Sequence, residues 1–598
     1  MAIFSKYLPR SPRSTVDEPD TPVATSKAEE EAKKDPTTSS ADGAPESNDN
    51  DESDEPFSEN AQHGVKNVEA VTQTWSKKSL ITAFILMWLL YFVNAMQSSI
   101  LSNLTPYVTS AFASHSLLTV ISVVADSMSA AMYIPISKIL DVWGRAEGFL
   151  VMTVFATLGL ILMATCNDIY TFCAADVFYT IGFGGMTYCV DVITADLSQL
   201  KNRGLAYAFT SSPYIITAFA GAKASDNFHL NWRWGFGCFA IIFPIVAMPL
   251  FVLLKVNLSK AKKQGVLVRE KSGRTMMQSI WHYAVEFDAL GVFLFSVGLC
   301  VFFIPFDIAG DAPHGWNTGY IIAMIVVGLV VLIIFGFYES FFAPVPMLNW
   351  KLLSNRTVIG ACALDATYQV SYYCWDNYFT SFLQVVNNLT VAEAGYVGNT
   401  FDVVSGVLLL FVGWLIRRTG RFKWLLYIAV PLYILAQGLM IYFRKPTHYV
   451  GYIVMCQIFI SIGGSVFIII EQLAVLAAVD HQHVASTLAL LEVVGTVGDA
   501  MGNTISGAIW TNTFEKALER NLPASALPDL ADIYEDITTQ LSYPVGSATR
   551  LAIQKSYAYA QTRMLAAGTG VMALAFIWVF MIKNIDLRKK PQVKGMVW

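Results

Sequence analysis

The sequence predicts an all-α polytopic membrane protein with about 14 transmembrane helices, and three observations carry that prediction. Runs of about twenty apolar residues recur from Thr74 to the C-terminus. At 1.5 Å per residue, each is long enough to cross a hydrocarbon layer about 30 Å thick. Of 598 residues, 54% are hydrophobic and only 14% charged, so one bundle in lipid replaces the several domains a soluble chain of this length would form. Lys and Arg gather beside alternate connections, as the orientation of a multi-spanning chain requires.

In chain order, residues 1–75 come first and are rich in Ser, Thr, Pro, Glu and Asp. That composition predicts a disordered acidic tail. So long a polar stretch ahead of the first apolar run argues against a cleavable signal peptide, and the first run is expected to insert as an uncleaved anchor. Spans 1 to 6 follow at 79–99, 116–139, 148–166, 170–192, 204–222 and 235–254. A basic stretch, 255–286, leads into spans 7 and 8 at 288–308 and 319–339. Spans 9 to 13 are predicted at 357–383, 395–416, 424–443, 449–474 and 485–511, and span 14 at 565–583. The connections 255–286 and 417–423 and the tail after Lys583 are basic and fall on one side. Those near 100–115, 309–318 and 387–394 have no Lys or Arg and fall on the other. Both termini are therefore expected in the cytoplasm, with the long segment 512–564 outside. The expected organisation is a tail (1–75), a six-helix bundle (76–255), a cytoplasmic loop with an inserted helix pair (256–356), a second six-helix bundle (357–583) and a tail (584–598). Asn103 and Asn388 head Asn-x-Thr sequons on the outer side and are the glycosylation candidates.

The turn after span 2 reads Asp141-Val-Trp-Gly144-Arg145, and the turn after span 10 reads Arg417-Arg-Thr-Gly420-Arg421. Aligning Gly144 on Gly420 gives an offset of 276 (420 − 144), and the same offset sets Asp126 on Asp402 and Ser129 on Ser405. A duplication relating spans 1–6 to spans 9–14, with spans 7 and 8 inserted, produces this pattern. Parallel repeats of that kind build transporters that rock around a midplane site. The doubled Asp-x-x-Gly-Arg turn resembles the cytoplasmic motif of the major facilitator superfamily. That resemblance implies a conformational latch at Asp141, Gly144, Arg145, Gly420 and Arg421, with Arg417 standing where the first copy has Asp141.

A carboxylate within hydrocarbon costs several kcal/mol unless paired, wet or protonated. Asp126 and Asp402 fall at equivalent depths, and Asp176, Asp191, Asp365, Asp376, Glu492 and Asp499 also lie within predicted spans. Embedded acids outnumber embedded bases, which points to proton coupling, with Asp126, Asp402, Asp499 and Glu492 as candidates. Pairing between helices is the other use for any one of them. Span 9 carries Asp365, Tyr368, Tyr372, Trp375, Asp376 and Phe379 on one face at helical spacing. Facing a cavity, that stripe suits a bulky amide-rich ligand. Asp365, Tyr368, Tyr372, Trp375 and Asn377 are the contact candidates, and an interfacial aromatic belt is the alternative for 372–378. Segment 514–560 is longer than a connection needs and is expected to help capture ligand, with Tyr543, Tyr557 and Tyr559 as further contacts; a solvated spacer is the alternative.

Several segments are similar to the fungal siderophore–iron transporters of the superfamily. They are Val190-Asp191-Val-Ile-Thr-Ala-Asp196 ahead of Asn202-Arg203-Gly204, Trp375-Asp-Asn-Tyr378, Ile509-Trp510-Thr-Asn512-Thr-Phe514, and Lys555-Ser-Tyr557-Ala-Tyr559. The resemblance implies uptake of a ferric hydroxamate, of the ferrichrome or fusarinine class, by proton symport. The siderophore then supplies every iron ligand, so no metal site or cofactor is expected in the protein. Expected partners are the siderophore, protons and the bilayer, with no nucleic acid, and the expected form is a monomer. The plasma membrane is the expected location, with an endosomal or vacuolar membrane as the alternative. Two other functions fit the same pattern: a drug– or toxin–proton antiporter of the fourteen-helix class, and a siderophore sensor that does not transport. Span 5 reads Ser211-Ser-Pro213-Tyr214 and lacks the Gly-Pro-x-x-Gly-Gly motif of the antiporters, which weighs against export. No enzymatic signature is present.

Overall fold

Hydrophobic runs close into helices because lipid offers the backbone no other hydrogen-bond partner. A computed structural model describes residues 75–112, 114–228, 231–263, 275–310, 312–347, 350–479 and 483–589, in which every regular element is a helix. All of them belong to one unit, Phe57–Trp598. The acidic tail 1–75 lies outside the described residues apart from Trp75.

The first six predicted spans are α1 (Lys77–Ala111), α2 (Leu118–Val142), α3 (Arg145–Thr165), α4 (Ile169–Asp196), α5 (Leu200–Ser211) with α6 (Tyr214–Phe228), and α7 (Trp232–Lys263). A short helix, α8 (Met276–Glu286), precedes the inserted pair α9 (Ala289–Ile308) and α10 (Gly319–Phe341), and α11 (Trp350–Leu353) follows it. The remaining spans are α12 (Arg356–Asp376) with α13 (Phe379–Asn387), α14 (Val391–Gly398) with α15 (Thr400–Thr419), α16 (Lys423–Phe443), α17 (Val450–Ala477) and α18 (Val484–Asn521). Two short helices, α19 (Leu530–Glu535) and α20 (Ile537–Ser542), lead to α21 (Ala548–Met572) and α22 (Ala575–Met581).

Twelve helices among the described residues are long and apolar enough to cross a membrane, with α14–α15 and α21–α22 each counted as one. The other two of the fourteen predicted spans, 204–222 and 357–383, are interrupted. α5 ends at Ser211, two residues before Pro213, which has no N–H to continue a ladder. α12 stops at Asp376, inside the polar–aromatic stripe. The segment 512–564 is shorter as a connection than expected, since α18 runs to Asn521 and α21 begins at Ala548.

Packing follows the duplication. The first group of helices meets the second through α2 against α18, and through α5–α6 against α15. With spans 2 and 5 repeated as 10 and 13, these two seams exchange under a twofold rotation. α9 packs on both α2 and α18 and so covers one seam, with α10 against it.

The two Gly-Arg turns differ. Gly144 sits at φ 119° and Gly420 at φ 70°, backbone conformations that favour glycine. In the first, Arg145 Nη1 donates to Asp141 Oδ1 at 2.7 Å and Nε to Asp196 Oδ2 at 3.0 Å, joining the ends of α2, α3 and α4. In the second, Arg417 and Arg421 are exposed, and the carbonyl of Gly420 accepts from Leu587 N at 3.0 Å. Asp586, near Arg421, brings from the C-terminal segment the acid this turn lacks; its pairing with Arg588 holds its carboxyl below the usual range.

Candidate functional site: a cavity between the repeats

A cavity of about 590 Å³ lies between the two groups of helices, within the roughly 300–1,000 Å³ of small-molecule sites. α1, α2, α4 and α6 build one wall; α12–α15, α17 and α18 build the other. These are spans 1, 2, 4 and 5 and their duplicates 9, 10, 12 and 13, so the repeat predicts which helices face each other.

Four carboxylates line the cavity: Asp126 and Asp176 on one wall, Asp376 and Asp402 on the other. Among the described residues no Lys, Arg or His lines it. Asp126 and Asp176 are close enough to feel each other's charge, as are Asp376 and Asp402. A polar bridge joins the walls. Asn503 Nδ2 donates to Asp126 Oδ2 at 2.7 Å, and Asn377 Nδ2 donates to Asn503 Oδ1 at 2.6 Å. Tyr179, Tyr214, Tyr368, Tyr372 and Tyr373 add rings and hydroxyls, and Phe379 and Phe401 add rings alone.

The structure divides the sequence candidates. Asp126 and Asp402 share this cavity, as do Tyr368, Tyr372 and Asn377. Asp365 and Trp375 do not line it. Trp375 is fully buried with its Nε1 unpartnered, because its side of α12 packs into the bundle. Asp499, Glu492 and Asp365 form a second group off the cavity lining, within electrostatic reach of one another; Asp499 also reaches Asp126, and Asp365 reaches Glu471. Asp191 extends this group. It accepts from Tyr91 Oη at 3.0 Å and from Gln472 Nε2 at 3.2 Å, which ties the first repeat to the second. Tyr557 is buried, with its hydroxyl donating to Gln540 Oε1 at 2.7 Å, and does not line the cavity. Tyr559 is exposed under the guanidinium of Arg563. Asn103 is corrected as a glycosylation candidate: α1 extends past the predicted end of span 1. Asn103 is thereby buried, with Nδ2 donating to Ser99 O at 2.9 Å. Asn388 stays exposed between α13 and α14.

Sequence reasoning set Asp376 on the span 9 stripe without naming it a contact, and did not single out Asp176, visible only as an acid within an apolar run. It missed Arg444 altogether. This residue caps α16 and is fully buried, and none of its three guanidinium nitrogens has a hydrogen bond. The guanidinium sits among the rings of Trp375, Phe379 and Phe382, 4.1–5.1 Å from their centroids, and its charge reaches Asp376. A basic residue ending span 11, on the side whose loops near 100–115, 309–318 and 387–394 lack Lys and Arg, was the available signal.

The repeats are bridged at both ends of the cavity. Towards the Gly144 turn, Tyr188 Oη donates to Ala485 O at 2.7 Å. There Gly413 packs on the backbone of Gly204: a Cβ at 413 would lie 3.0 Å from Gly204 O. At the far end, Asn399 Nδ2 donates to Ser99 Oγ and to Ala218 O, both at 2.9 Å. Tyr378 Oη donates to Ser116 O at 3.1 Å, and Tyr107 bonds to Gln384. The 522–547 connector also crosses here, with Glu535 accepting from Ser116 Oγ at 2.8 Å and from Ser116 N at 3.0 Å. A cavity between two separable contacts is what alternating access needs.

Comparison with known proteins agrees. Residues 87–502 match the Major Facilitator Superfamily model. The chain is 59% identical over 554 residues to siderophore iron transporter mirB of Emericella nidulans, covering 92% of each. It is 57% identical over 542 residues to MFS siderochrome iron transporter D of Aspergillus fumigatus, covering 90% of each. Siderophore iron transporter 1 of Schizosaccharomyces pombe is 33% identical over 88% of this chain and 86% of its own. Among solved structures, an inward-facing, occupied bacterial homologue of the lysosomal transporter Spinster shares the fold, with a TM-score of 0.51 and 15% identity over 85% of this chain and 97% of that one. A peptide transporter in complex with alafosfalin gives a TM-score of 0.52 and 14% identity over 87% of this chain and 99% of that one. The chain belongs to the siderophore iron transporters of the major facilitator superfamily, a family of transporters rather than enzymes.

Proposed function

We propose that this transporter carries a neutral ferric hydroxamate, of the ferrichrome or fusarinine class, inward together with protons. The acidic cavity wall, with two carboxylates from each repeat and no described cation, supports both halves of the reading. In a ferric tris-hydroxamate, the singly charged hydroxamates balance the ferric ion, and the complex is neutral. A ferric tris-catecholate is strongly anionic, and an acidic wall opposes it. Tyrosine hydroxyls and the Asn377–Asn503 amides suit a ligand rich in amide groups. Iron enters as cargo with its coordination sphere filled, so the protein needs no resident metal. Acids that meet one side and then the other take up protons where they are abundant and release them where they are scarce. The basic turns at Arg145 and Arg417–Lys423 then face the cytoplasm, and a carrier that takes up ligand from outside the cell acts at the plasma membrane.

The test uses proteoliposomes with an imposed inward proton gradient and radio-iron complexes of ferrichrome, a fusarinine and enterobactin. The hydroxamates should accumulate, a protonophore should abolish accumulation but not binding, and the catecholate should stay outside. Accumulation that survives a collapsed gradient removes symport. Equal entry of the catecholate removes the charge argument. Binding without any uptake makes the protein a sensor.

A further inference from the structure

None of the residues of α8 is buried, although the helix carries large apolar side chains. Met276, Met277, Ile280 and Trp281 are 84%, 75%, 55% and 69% exposed. At about 100° per residue, they share with Ala284 an arc of about 140°. Gln278, Ser279, His282 and Glu286 fall on the opposite side. Eleven residues extend only about 16 Å, too short to span a bilayer. A contiguous Met-Met-Ile-Trp face left to water would be an unusual surface for a folded protein.

The helix is firmly placed. A capping box of Thr275 and Gln278 closes its start. Near its end, Tyr283 and Phe287 meet Trp143 edge-on, with ring centroids 5.4 and 5.7 Å away. Lys138 Nζ donates to Glu286 O at 2.9 Å and to Val345 O at 3.2 Å. These contacts set α8 at the end of the bundle that holds the Gly144 turn. α7 reaches the same end: its 32 residues extend about 48 Å, beyond the ~30 Å of hydrocarbon, and leave Lys260, Lys262 and Lys263 exposed. Arg417, Arg418 and Arg421 are exposed at that end as well.

We propose that α8 is an interfacial anchor whose Met276–Met277–Ile280–Trp281 face lies in the headgroup layer of the adjoining leaflet, drawn there by anionic lipid. An apolar face on a short amphipathic helix, at an end of the bundle that also exposes several Lys and Arg, is the chemistry of binding to such a surface. Trp143 lies between Asp141 and Arg145, so the leaflet that holds α8 also steadies the loop carrying the Asp141–Arg145–Asp196 ion pairs.

The full-length protein, spin-labelled through Met277→Cys, Ile280→Cys, Gln278→Cys or His282→Cys, tests this in vesicles of phosphatidylcholine with and without phosphatidylserine. Unsubstituted protein, whose eight cysteines are buried or half-buried, is the blank. Labels at 277 and 280 should be open to oxygen and shielded from a water-soluble nickel chelate, and those at 278 and 282 the reverse. Phosphatidylserine should deepen the label at 280, and high salt should cancel that gain. Chelate access at all four positions overturns the proposal in favour of a solvated helix. Shielding from both reagents overturns it in favour of a protein partner or a second copy. A depth indifferent to phosphatidylserine removes the anionic-lipid claim. Trp143→Ala should lessen the oxygen exposure at 280, and an unchanged profile would show that Trp143 is not the seat.

Discussion

Asp126 meets the opposite repeat through a single hydrogen bond, donated by Asn503 Nδ2 at 2.7 Å. Asparagine at 126 can still accept that bond but cannot titrate. Asp126→Asn is therefore expected to reach the membrane and bind ferrichrome as the wild type does, yet fail to concentrate it under a proton gradient. Normal accumulation would move coupling to Asp176 or Asp402. Arg444 poses a different question, because a buried guanidinium without hydrogen bonds is costly unless its charge is used. Removing one partner of a buried charge pair costs about 3–5 kcal/mol, whereas replacing both with well-packed apolar groups is often neutral or stabilising. If Arg444 serves Asp376, Arg444→Leu should lower the melting temperature as uptake falls, Asp376→Asn added to it should restore much of that stability, and Arg444→Lys should retain part of the uptake. A melting temperature that the second substitution does not restore would make Arg444 a packing residue. The pair Asp126 and Asp402 was legible in the sequence because the 276-residue offset marks them twice. Asp176 and Arg444 have no such marker, Asp376 has only its place on the span 9 stripe, and an apolar run does not say which acid faces water. Trp375 misled for the same reason: its place on the stripe is right, but α12 is packed on the side where it points.

At the scale of elements, helix existence was legible and helix ends were not. α1 continues 12 residues past its predicted end at 99. Asn103, Thr105 and Thr109 each bond back to the carbonyl four residues earlier, so a polar stretch stays helical by satisfying its own side chains. Thr511, Asn512 and Thr513 do the same as α18 leaves the predicted span. What then remains of the far-side segment is the 522–547 connector, which meets the first repeat through Glu535 on Ser116 and through Ile537 N, which donates to Ser110 Oγ at 3.1 Å. Hydrogen bonds to a charged group contribute about 1.5–3 kcal/mol. Glu535→Gln is expected to raise the half-saturating ferrichrome concentration several-fold at unchanged surface expression; an unaltered value would make the connector a spacer. Closure at the other end rests on backbone approach, since a Cβ at Gly413 would lie 3.0–3.1 Å from the Gly204 carbonyl. Overpacking costs about 1–3 kcal/mol, and Gly413→Val puts that cost only on the state in which α5 and α15 touch. The variant should shift towards the conformation open at the Gly144 end, with faster thiol labelling of Ala485→Cys in that background. Unchanged labelling would mean that the helices part elsewhere.

For the whole molecule, the twofold relation makes a mechanical claim. One seam is α2 on α18 and the other is α5–α6 on α15, so rocking one repeat against the other opens one end of both seams while closing the other. The cavity then meets each side in turn, and holding either end shut must stop transport. Ser99 and Asn399 meet at the far end, and Tyr188 and Ala485 at the Gly144 end. Joining Ser99→Cys to Asn399→Cys, or Tyr188→Cys to Ala485→Cys, with a flexible cleavable bis-thiol reagent should abolish uptake in both cases. Reductant should restore it. The two locks should differ in binding. If the far end faces outside, the far-end lock should also remove ferrichrome binding from outside, and the other lock should leave it intact. The reverse pattern would invert the orientation, and transport through either cross-linked protein would show that the repeats do not rock as rigid bodies.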